Sequence, residues 1–282
     1  MLGSRFTARP ALAALCGFGL IACASTAASA SIVVDFDSAS DLNDFVESGG
    51  SAVATYAWTN ATGVGSPDGA VTSPNDGDTG EPGLFYDAAT LDPNDGPLTV
   101  SAYFQASAAT AGGNSRTFVG FANNNGINLS TDNGKIGVRV FKDVDPNDAE
   151  GNNFFFQLQN NQTATSFGAD FALQDGHWYR LETTVTALST AGNYLLEGEL
   201  LHYGSDGLTL DPSFSRSGSL NVSNGNLQPD TTWAVSLLNQ DNNGGATAFD
   251  NLNAFVVPEP ATLVIATFAG VMVSGRPRRR VA

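Results

Sequence analysis

Short segments in which apolar residues alternate with polar ones, or run together, recur along most of the chain. Clusters of Gly, Asn, Asp, Pro and Ser separate these segments, as turns separate strands. Residues 31–257 contain no segment with sustained helical periodicity and capping residues. The pattern predicts an all-β fold, an antiparallel β-sandwich formed by one domain over residues 31–256. The predicted strands are 32–36, 52–58, 98–105, 117–122, 135–141, 153–159, 178–188, 194–202, 232–238 and 248–256.

Period-two alternation assigns faces to two of these strands. In the strand 153–159, Phe154, Phe156 and Leu158 share one side, and the residues between them point to the other. In the strand 194–202, Glu197 and Glu199 share a face with two leucines. Both strands are therefore expected to bury one face and to leave the other more polar.

A second pattern concerns the order of the strands. Asp-Gly-His-Trp-Tyr-Arg-Leu-Glu at 175–182 opens an alternating strand, and residues 189–193 form a loop of hairpin length before the returning strand. This pair resembles the corresponding strands of concanavalin A-like (laminin G-like) jelly rolls. Val-Asp-Phe-Asp at 34–37 and Phe-Asp-Asn-Leu at 249–252 resemble the first and last strands of such domains, which pair with each other. The resemblance implies a jelly roll, and another β-sandwich is the alternative.

The N-terminal region is typical of a secretory signal peptide over residues 1–30. Two arginines precede a short apolar run at 11–22, and Ala28 and Ala30 form an Ala-x-Ala site for signal peptidase. The alternative is a lipoprotein signal, because Leu-Ile-Ala-Cys at 20–23 has the Leu-x-small-Cys form that lipoprotein processing requires.

The positions of the two cysteines limit the chemistry available to the mature domain. Cys16 and Cys23 both lie in the predicted signal peptide, so a chain cleaved after Ala30 has no thiol. Catalytic cysteine and cysteine-ligated zinc are therefore excluded from the mature domain.

The C-terminal region, 257–282, has three parts. Val-Pro-Glu-Pro-Ala-Thr-Leu at 257–263 leads into an apolar run that ends at residue 275, and an arginine cluster follows. The run 261–275 reaches about 22 Å as a helix, shorter than the ~30 Å hydrocarbon core. We predict a short transmembrane helix that spans by local thinning or arginine snorkelling, with the arginines on the cytoplasmic side. The basic residues are Arg276, Arg278, Arg279 and Arg280.

Together these three parts resemble the PEP-CTERM sorting signal of Gram-negative bacteria. Two small departures are Pro277 within the basic cluster and two further residues after it. The resemblance implies recognition by an exosortase, a membrane-embedded cysteine protease, and processing near Pro258, Glu259 and Pro260. The precursor would lie in the inner membrane before delivery to the cell surface or the extracellular polysaccharide matrix. The prolines fix φ and remove N–H donors, which keeps the segment extended, as protease substrates are.

The charge of the domain restricts its partners. Residues 31–257 hold six Lys and Arg against 27 Asp and Glu, a formal charge of −21. Such a surface repels phosphate backbones, so nucleic acid is not a predicted partner. It attracts Ca²⁺ instead.

Acidic loops are the candidate calcium sites. Asp-Val-Asp-Pro-Asn-Asp at 143–148 places oxygen ligands at alternate positions, and 75–78 and 92–96 are similar. Asp-Pro-Asn-Asp also makes turns without any metal, and this is the alternative. The candidate ligands are Asp143, Asp145, Asn147 and Asp148.

Catalytic candidates are few, and we predict no catalytic residues. His177 and His202 are lone histidines at strand ends, which are more often surface or turn residues than bases. Glu197 and Glu199 stand roughly 6–7 Å apart on one strand face, within reach of glycoside chemistry. Jelly-roll glucanases, however, carry a Glu-x-Asp-x-(x)-Glu run that residues 197–201 lack. Solvated strand carboxylates are the simpler interpretation.

The sequence thus favours a non-catalytic surface or matrix protein whose domain binds extracellular polysaccharide. The alternatives are a glycoside hydrolase or lyase on the same scaffold, and a structural biofilm protein without a ligand. An enzyme predicts that Glu182, Glu197 and Glu199 cluster in a concave groove. A glycan-binding site would use exposed aromatic side chains as platforms for the sugar rings. The alternative is that these aromatic side chains are buried in the core. The candidate platforms are Trp58, Trp178, Trp233 and Phe155.

Overall fold

The described part of the chain is built mainly of β-strands. The computed structural model describes residues 31–48, 56–65, 69–72, 83–107, 115–123, 133–142, 153–227, 233–241 and 245–257. One short 3-10 helix, Ala39–Asp44, lies among them. The fifteen strands are β1 Ser31–Val34, β2 Phe45–Ser48, β3 Ala57–Thr59, β4 Ala70–Thr72, β5 Gly83–Tyr86, β6 Leu98–Ser107, β7 Ser115–Asn123, β8 Lys135–Lys142, β9 Phe154–Asn160, β10 Thr163–Ser166, β11 Trp178–Ala187, β12 Asn193–Tyr203, β13 Leu210–Ser223, β14 Trp233–Asp241 and β15 Gly245–Val256.

The strands form two antiparallel sheets. The eight-stranded sheet has the order β13-β12-β11-β6-β15-β4-β3, with β1 also paired to β15, and the seven-stranded sheet has the order β10-β9-β8-β7-β14-β5-β2. The prediction of an all-β antiparallel sandwich is confirmed. The predicted pairing of the first and last strands is also confirmed, since Val34 lies opposite Leu252. Strands β11 and β12 form the predicted hairpin.

The main core lies between the sheets. Phe154, Phe156 and Leu158 are buried in it, as their alternation predicted. Trp233 and Tyr194, one from each sheet, meet edge to face with ring centroids 5.1 Å apart. Aromatic pairs of this geometry add to the hydrophobic stabilisation of a core.

The two sheets approach each other closely at Thr183 and Gly198, which lie opposite one another on β11 and β12. The Thr183 hydroxyl donates to the carbonyl of Val119 at 2.7 Å and accepts from the amide of Val138 at 3.1 Å. A Cβ on Gly198 would stand 2.0 Å from Cγ1 of Val138. Residues with small side chains are therefore required here.

The sequence pattern identified ten of the fifteen strands in the described residues and missed five. Four of the missed strands, β2, β4, β5 and β10, are only three or four residues long. The fifth, β13, has 14 residues, but serine fills most of its exposed positions. Its inner positions alternate correctly, from Phe214 to Val222, yet they are only partly buried. Strand β3 covers the end of the predicted 52–58 strand, and residues 51–55 lie outside the described residues.

Candidate functional site

An open depression on the outer face of the eight-stranded sheet gathers the three glutamates of interest. We define this carboxylate depression by the residues that line it, and its volume is about 450 Å³. Strands β11, β12 and β13 each contribute, because alternate residues of neighbouring strands point to the same side. The lining residues are Glu182, Thr184, Glu197, Gly198, Glu199, Ser217, Gly218 and Ser219.

Strand register brings the polar groups of the depression into two rows. In one row Glu182 lies opposite Glu199, which lies opposite Ser217. In the other, Thr184 lies opposite Glu197, which lies opposite Ser219. Directly opposed residues on antiparallel strands have Cβ atoms roughly 4.5–5.5 Å apart. Three carboxylates and three hydroxyls are thus held on a rigid sheet.

The floor of the depression lacks side chains. Gly198 and Gly218 lie opposite each other across β12 and β13. A Cβ on Gly198 would meet the core, and a Cβ on Gly218 would stand 2.5 Å from the Phe167 ring. The depression therefore lies on the outer side of the place where the two sheets approach closely.

The depression carries an excess of negative charge, because its carboxylates outnumber the cations beside them. Arg180 forms an ion pair with Glu182 and donates to the hydroxyl of Ser101 at 3.2 Å. Within the described chain, Glu197 and Glu199 have neither ion pair nor side-chain hydrogen bond. Like charges opposite each other in a sheet are unfavourable. The site therefore attracts hydrogen-bond donors and cations and repels anions.

The other end of the same sheet face carries a cluster of aromatic and small apolar residues, which we call the aromatic end. Its members are Trp178, Tyr103, Tyr203, Ala70 and Ala248. Trp178 is fully buried, and the rings of Tyr103 and Tyr203 lie 5.1 Å apart. Burial, and then the hydrogen bond to Tyr203, raises the pKa of Tyr103.

Two loop segments cover this aromatic end. Val64 donates its amide to a carboxylate oxygen of Asp250 at 2.7 Å, and Gly65 donates to the carbonyl of Asp206 at 2.7 Å. A cavity of about 270 Å³ lies between the two segments. The segments cover Trp178, whereas Tyr103 and Tyr203 are half-buried.

The predicted aromatic platforms are mostly unavailable. Trp178 and Trp233 are fully buried, so the alternative of core burial is correct for both. Trp58 is half-buried, and its indole N–H donates to the carbonyl of Phe36 at 2.7 Å. Phe155 is half-buried on the outer face of the seven-stranded sheet, away from the carboxylate depression.

The two histidines, interpreted from the sequence as lone strand-end residues, are in fact hydrogen-bonded to each other. His202 Nε2 lies 3.0 Å from His177 Nδ1, and His202 Nδ1 lies 3.0 Å from Oδ2 of Asp211. His202 is buried and stacks on Tyr179 with ring centroids 4.6 Å apart. The interpretation as surface residues is therefore wrong for His202.

The donors and acceptors of this hydrogen-bonded chain follow from the histidine tautomers. A neutral His202 that donates its Nδ1 proton to the carboxylate uses Nε2 to accept from the Nδ1–H of His177. The Ser213 hydroxyl and amide, and after them His202, lower the pKa of Asp211. Burial raises the pKa of Tyr179, whose hydroxyl accepts from the Gln174 amide. The chain joins β11, β12 and β13 at their ends, away from the carboxylate depression.

The residues predicted to bind calcium lie in acidic loops. Asp143, Asp145, Asn147 and Asp148 lie outside the described residues, as does the loop 75–78. The third candidate loop, 92–96, is described. In it the Asn94 amide donates to Asp92 Oδ1 at 2.8 Å, as in a turn without metal. No group of three or more His, Cys, Asp or Glu that could hold a metal occurs among the described residues.

The sorting elements at both ends of the sequence also lie outside the described residues. These are Ala28 and Ala30, the Pro-Glu-Pro motif at 258–260, and the arginine cluster. In the portion of the chain that is described, no helix has the length and apolarity needed to cross a membrane.

Sequence reasoning identified the glutamates but not the whole depression. Glu182, Glu197 and Glu199 do lie together, while Ser217, Ser219 and Gly218 come from the missed strand β13. The signal that was available is the period-two run of serines at 213, 215, 217 and 219.

The fold and site define an antiparallel two-sheet β-sandwich with an acidic depression on one outer face. No protein-family model matches the chain. No curated protein matches it either.

Several solved structures are similar to it. Lectin II from Ulex europaeus has 13% identity and a TM-score of 0.44, with 80% of this chain and 97% of that chain covered. A protein of unknown function with a galectin-like fold from Bacillus subtilis has 9% identity and a TM-score of 0.44, covering 81% and 96%. A carbohydrate esterase from the Shiga toxin-encoding bacteriophage phi24B has 13% identity and a TM-score of 0.46, covering 82% and 100%. At such identities and scores the likeness assigns no ligand to this chain.

Proposed function

We propose that this protein is a non-catalytic glycan-binding protein, with a concanavalin A-like jelly-roll domain that binds polysaccharide in the carboxylate depression. The observation that carries the proposal is the convergence of Glu182, Glu197 and Glu199 on one open depression with three hydroxyl side chains. Carboxylates accept hydrogen bonds from sugar hydroxyls, and Ser and Thr hydroxyls both donate and accept. The volume of about 450 Å³ falls within the roughly 300–1,000 Å³ of ligand sites.

The charge of the site defines the class of glycan. Among the described residues no cation pairs with Glu197 or Glu199, and the domain over 31–257 carries a formal charge of −21. Neutral and amino-sugar polymers fit this site, whereas polyuronates and sulfated glycans would be repelled.

Export and display complete the proposal. The signal peptide over 1–30 and the PEP-CTERM-like region over 257–282 would direct the domain to the cell surface or matrix, with exosortase processing near Pro258–Pro260. Replacement of Pro258, Glu259 and Pro260 by alanine should leave unprocessed precursor in the inner membrane. Normal processing of that variant would refute the sorting proposal.

Glycan binding is tested on the fragment 31–257, which contains all fifteen strands and both partners of the β1–β15 pair. A glycan array probed with and without Ca²⁺ should show binding to neutral or amino-sugar polymers. No binding to any glycan under either condition would refute the proposal and favour a purely structural biofilm protein.

A second candidate function is cleavage of polysaccharide in the same depression, as by a glycoside hydrolase or a lyase. The observation that favours it is the direct opposition of Glu182 and Glu199. Opposed Cβ atoms stand roughly 4.5–5.5 Å apart, and retaining glycosidases hold their carboxyl groups roughly 5–5.5 Å apart. Against it, Arg180 already pairs with Glu182. Release of reducing ends by the wild-type fragment, abolished by Glu199→Gln, would establish the enzyme.

A further inference from the structure

The cavity of about 270 Å³ between the covering segments has so far no role in the glycan site. We call it the loop cavity. It lies on the same outer face of the eight-stranded sheet as the carboxylate depression, because Trp178 lines the one and Glu182 lines the other. Its polar side chains are the Thr62 and Ser205 hydroxyls and the Asp206 carboxylate. These groups can accept hydrogen bonds from sugar hydroxyls, as the groups of the depression can.

The loop cavity and the carboxylate depression lie in line along two neighbouring strands. On β11, Glu182 and Trp178 are four residues apart, which corresponds to about 13 Å along a strand. On β12, Glu199 lines the depression, and Ser205 at the loop cavity follows the end of the same strand by two residues. A line parallel to β11 and β12 therefore joins the two.

The surface between them is aromatic and apolar. Leu201 and Tyr203 follow Glu199 at alternate positions on β12, and Tyr103 lies opposite Arg180 of β11. The two tyrosines are half-buried, with ring centroids 5.1 Å apart, and are hydrogen-bonded to each other. A tyrosine combines an apolar ring with a polar hydroxyl, as packing against the apolar face of a sugar ring requires.

The charges along this line match those of the carboxylate depression. Arg180 is paired with Glu182, so its positive charge is compensated. The amides of Thr209 and Leu208 and the Thr209 hydroxyl donate to Asp206 and lower the pKa of its carboxyl, which is therefore ionised at neutral pH. Both ends of the line thus favour hydrogen-bond donors and repel anionic sugars.

We infer that the loop cavity is a second subsite of the glycan site. A neutral or amino-sugar polymer lies along β11 and β12, from the carboxylate depression, over Tyr103 and Tyr203, to the loop cavity. This inference rests on the proposed glycan binding and adds what is recognised: an extended segment of several sugar rings, because the line is longer than one ring. Linking two subsites through one ligand raises affinity above that of either subsite alone.

The dependence of affinity on chain length tests the inference. The full chain, in a detergent without sugar groups, is titrated by calorimetry with disaccharides and hexasaccharides of β-1,4-linked glucose, glucosamine and mannose. For the sugar that binds, the hexasaccharide should bind about tenfold more tightly than the disaccharide, since it alone reaches both subsites. Equal affinity for the two lengths would overturn the second subsite and leave glycan binding in place. Binding of none of these oligomers would also overturn it, and the glycan array decides the proposed function separately.

A variant that fills the loop cavity tests its position. Ser205 is exposed at the cavity, so Ser205→Trp should place a large ring there and weaken hexasaccharide binding about tenfold, to the level of the disaccharide. The matched control is Ser189→Trp, in the exposed hairpin loop at the opposite end of β11 and β12, which should bind like the wild type. Equal hexasaccharide affinity of both variants would exclude the loop cavity as a subsite.

Discussion

The aromatic end and the carboxylate depression lie on the same face of the same strands, yet one is covered and the other is open. Trp178 and Glu182 are four residues apart on β11 and point to the same side. Segments held by Asp250 and Asp206 cover the tryptophan, whereas the glutamates remain accessible. Covering apolar rings is favourable, and covering unpaired carboxylates is costly. The chemistry of each end therefore determines whether loops can cover it.

The largest expected effect comes from removing the covered tryptophan. Trp178→Ala should lower the free energy of unfolding by about 3–5 kcal/mol, because it removes a fully buried ring. Urea denaturation of the fragment 31–257 measures the change. The matched control on the same face is Glu197→Ala, expected to change stability by less than about 0.5 kcal/mol. Equal losses in the two variants would remove the distinction between the two ends.

Overpacking beneath the depression should have the next largest effect. Gly198→Ala places a Cβ 2.0 Å from Val138 and 2.6 Å from Leu158, so the sheets must separate. We expect a loss of about 1–3 kcal/mol of stability, measured by urea denaturation. Gly225→Ala is the control, since a Cβ there has no atom within 4 Å. If both substitutions are neutral, the close approach of the sheets is not what shapes the depression.

Relief of acid repulsion should give a small effect of opposite sign. Glu199→Gln removes one of two carboxylates that lie opposite each other, and it should stabilise the fold by about 0.2–1 kcal/mol. Thermal unfolding at low and high salt measures this gain, which salt should reduce. A destabilised variant would mean that the charge of Glu199 is compensated.

At neutral pH the smallest effect is expected at the hydrogen-bonded chain of His177, His202 and Asp211. The folded-state pKa of Asp211 lies below the ordinary aspartate value of 3.8, so this residue contributes stability above that pH. The contribution should be lost as the pH falls through the folded-state pKa. Asp211→Asn should therefore flatten the loss of stability below pH 3.8, measured by acid titration of the circular dichroism signal. An unchanged acid profile would contradict the role of Asp211 in joining His202 to Ser213.

The sequence predicted the strand framework and the glutamates because alternation reports which residues share a face. It did not predict the covering segments, since Val64 meets Asp250 across 186 residues of chain. It also missed β13, whose serines have little β-propensity and whose inner face is only half-buried. The histidine chain was missed for a similar reason, because His177 and His202 are 25 residues apart and meet only when β11 and β12 pair.

Binding by charge-matched variants tests directly whether the depression is the glycan site. Titration calorimetry of the fragment 31–257 against its best array ligand should show Glu199→Gln binding about tenfold more weakly. A hydrogen bond to a charged acceptor contributes about 1.5–3 kcal/mol, the neutral amide retains about 0.5–1.5 kcal/mol, and a difference of about 1.4 kcal/mol is tenfold in affinity. Asp95→Asn, the same charge change in an exposed turn, should bind like the wild type. Equal affinity of all three proteins would contradict glycan binding in the carboxylate depression.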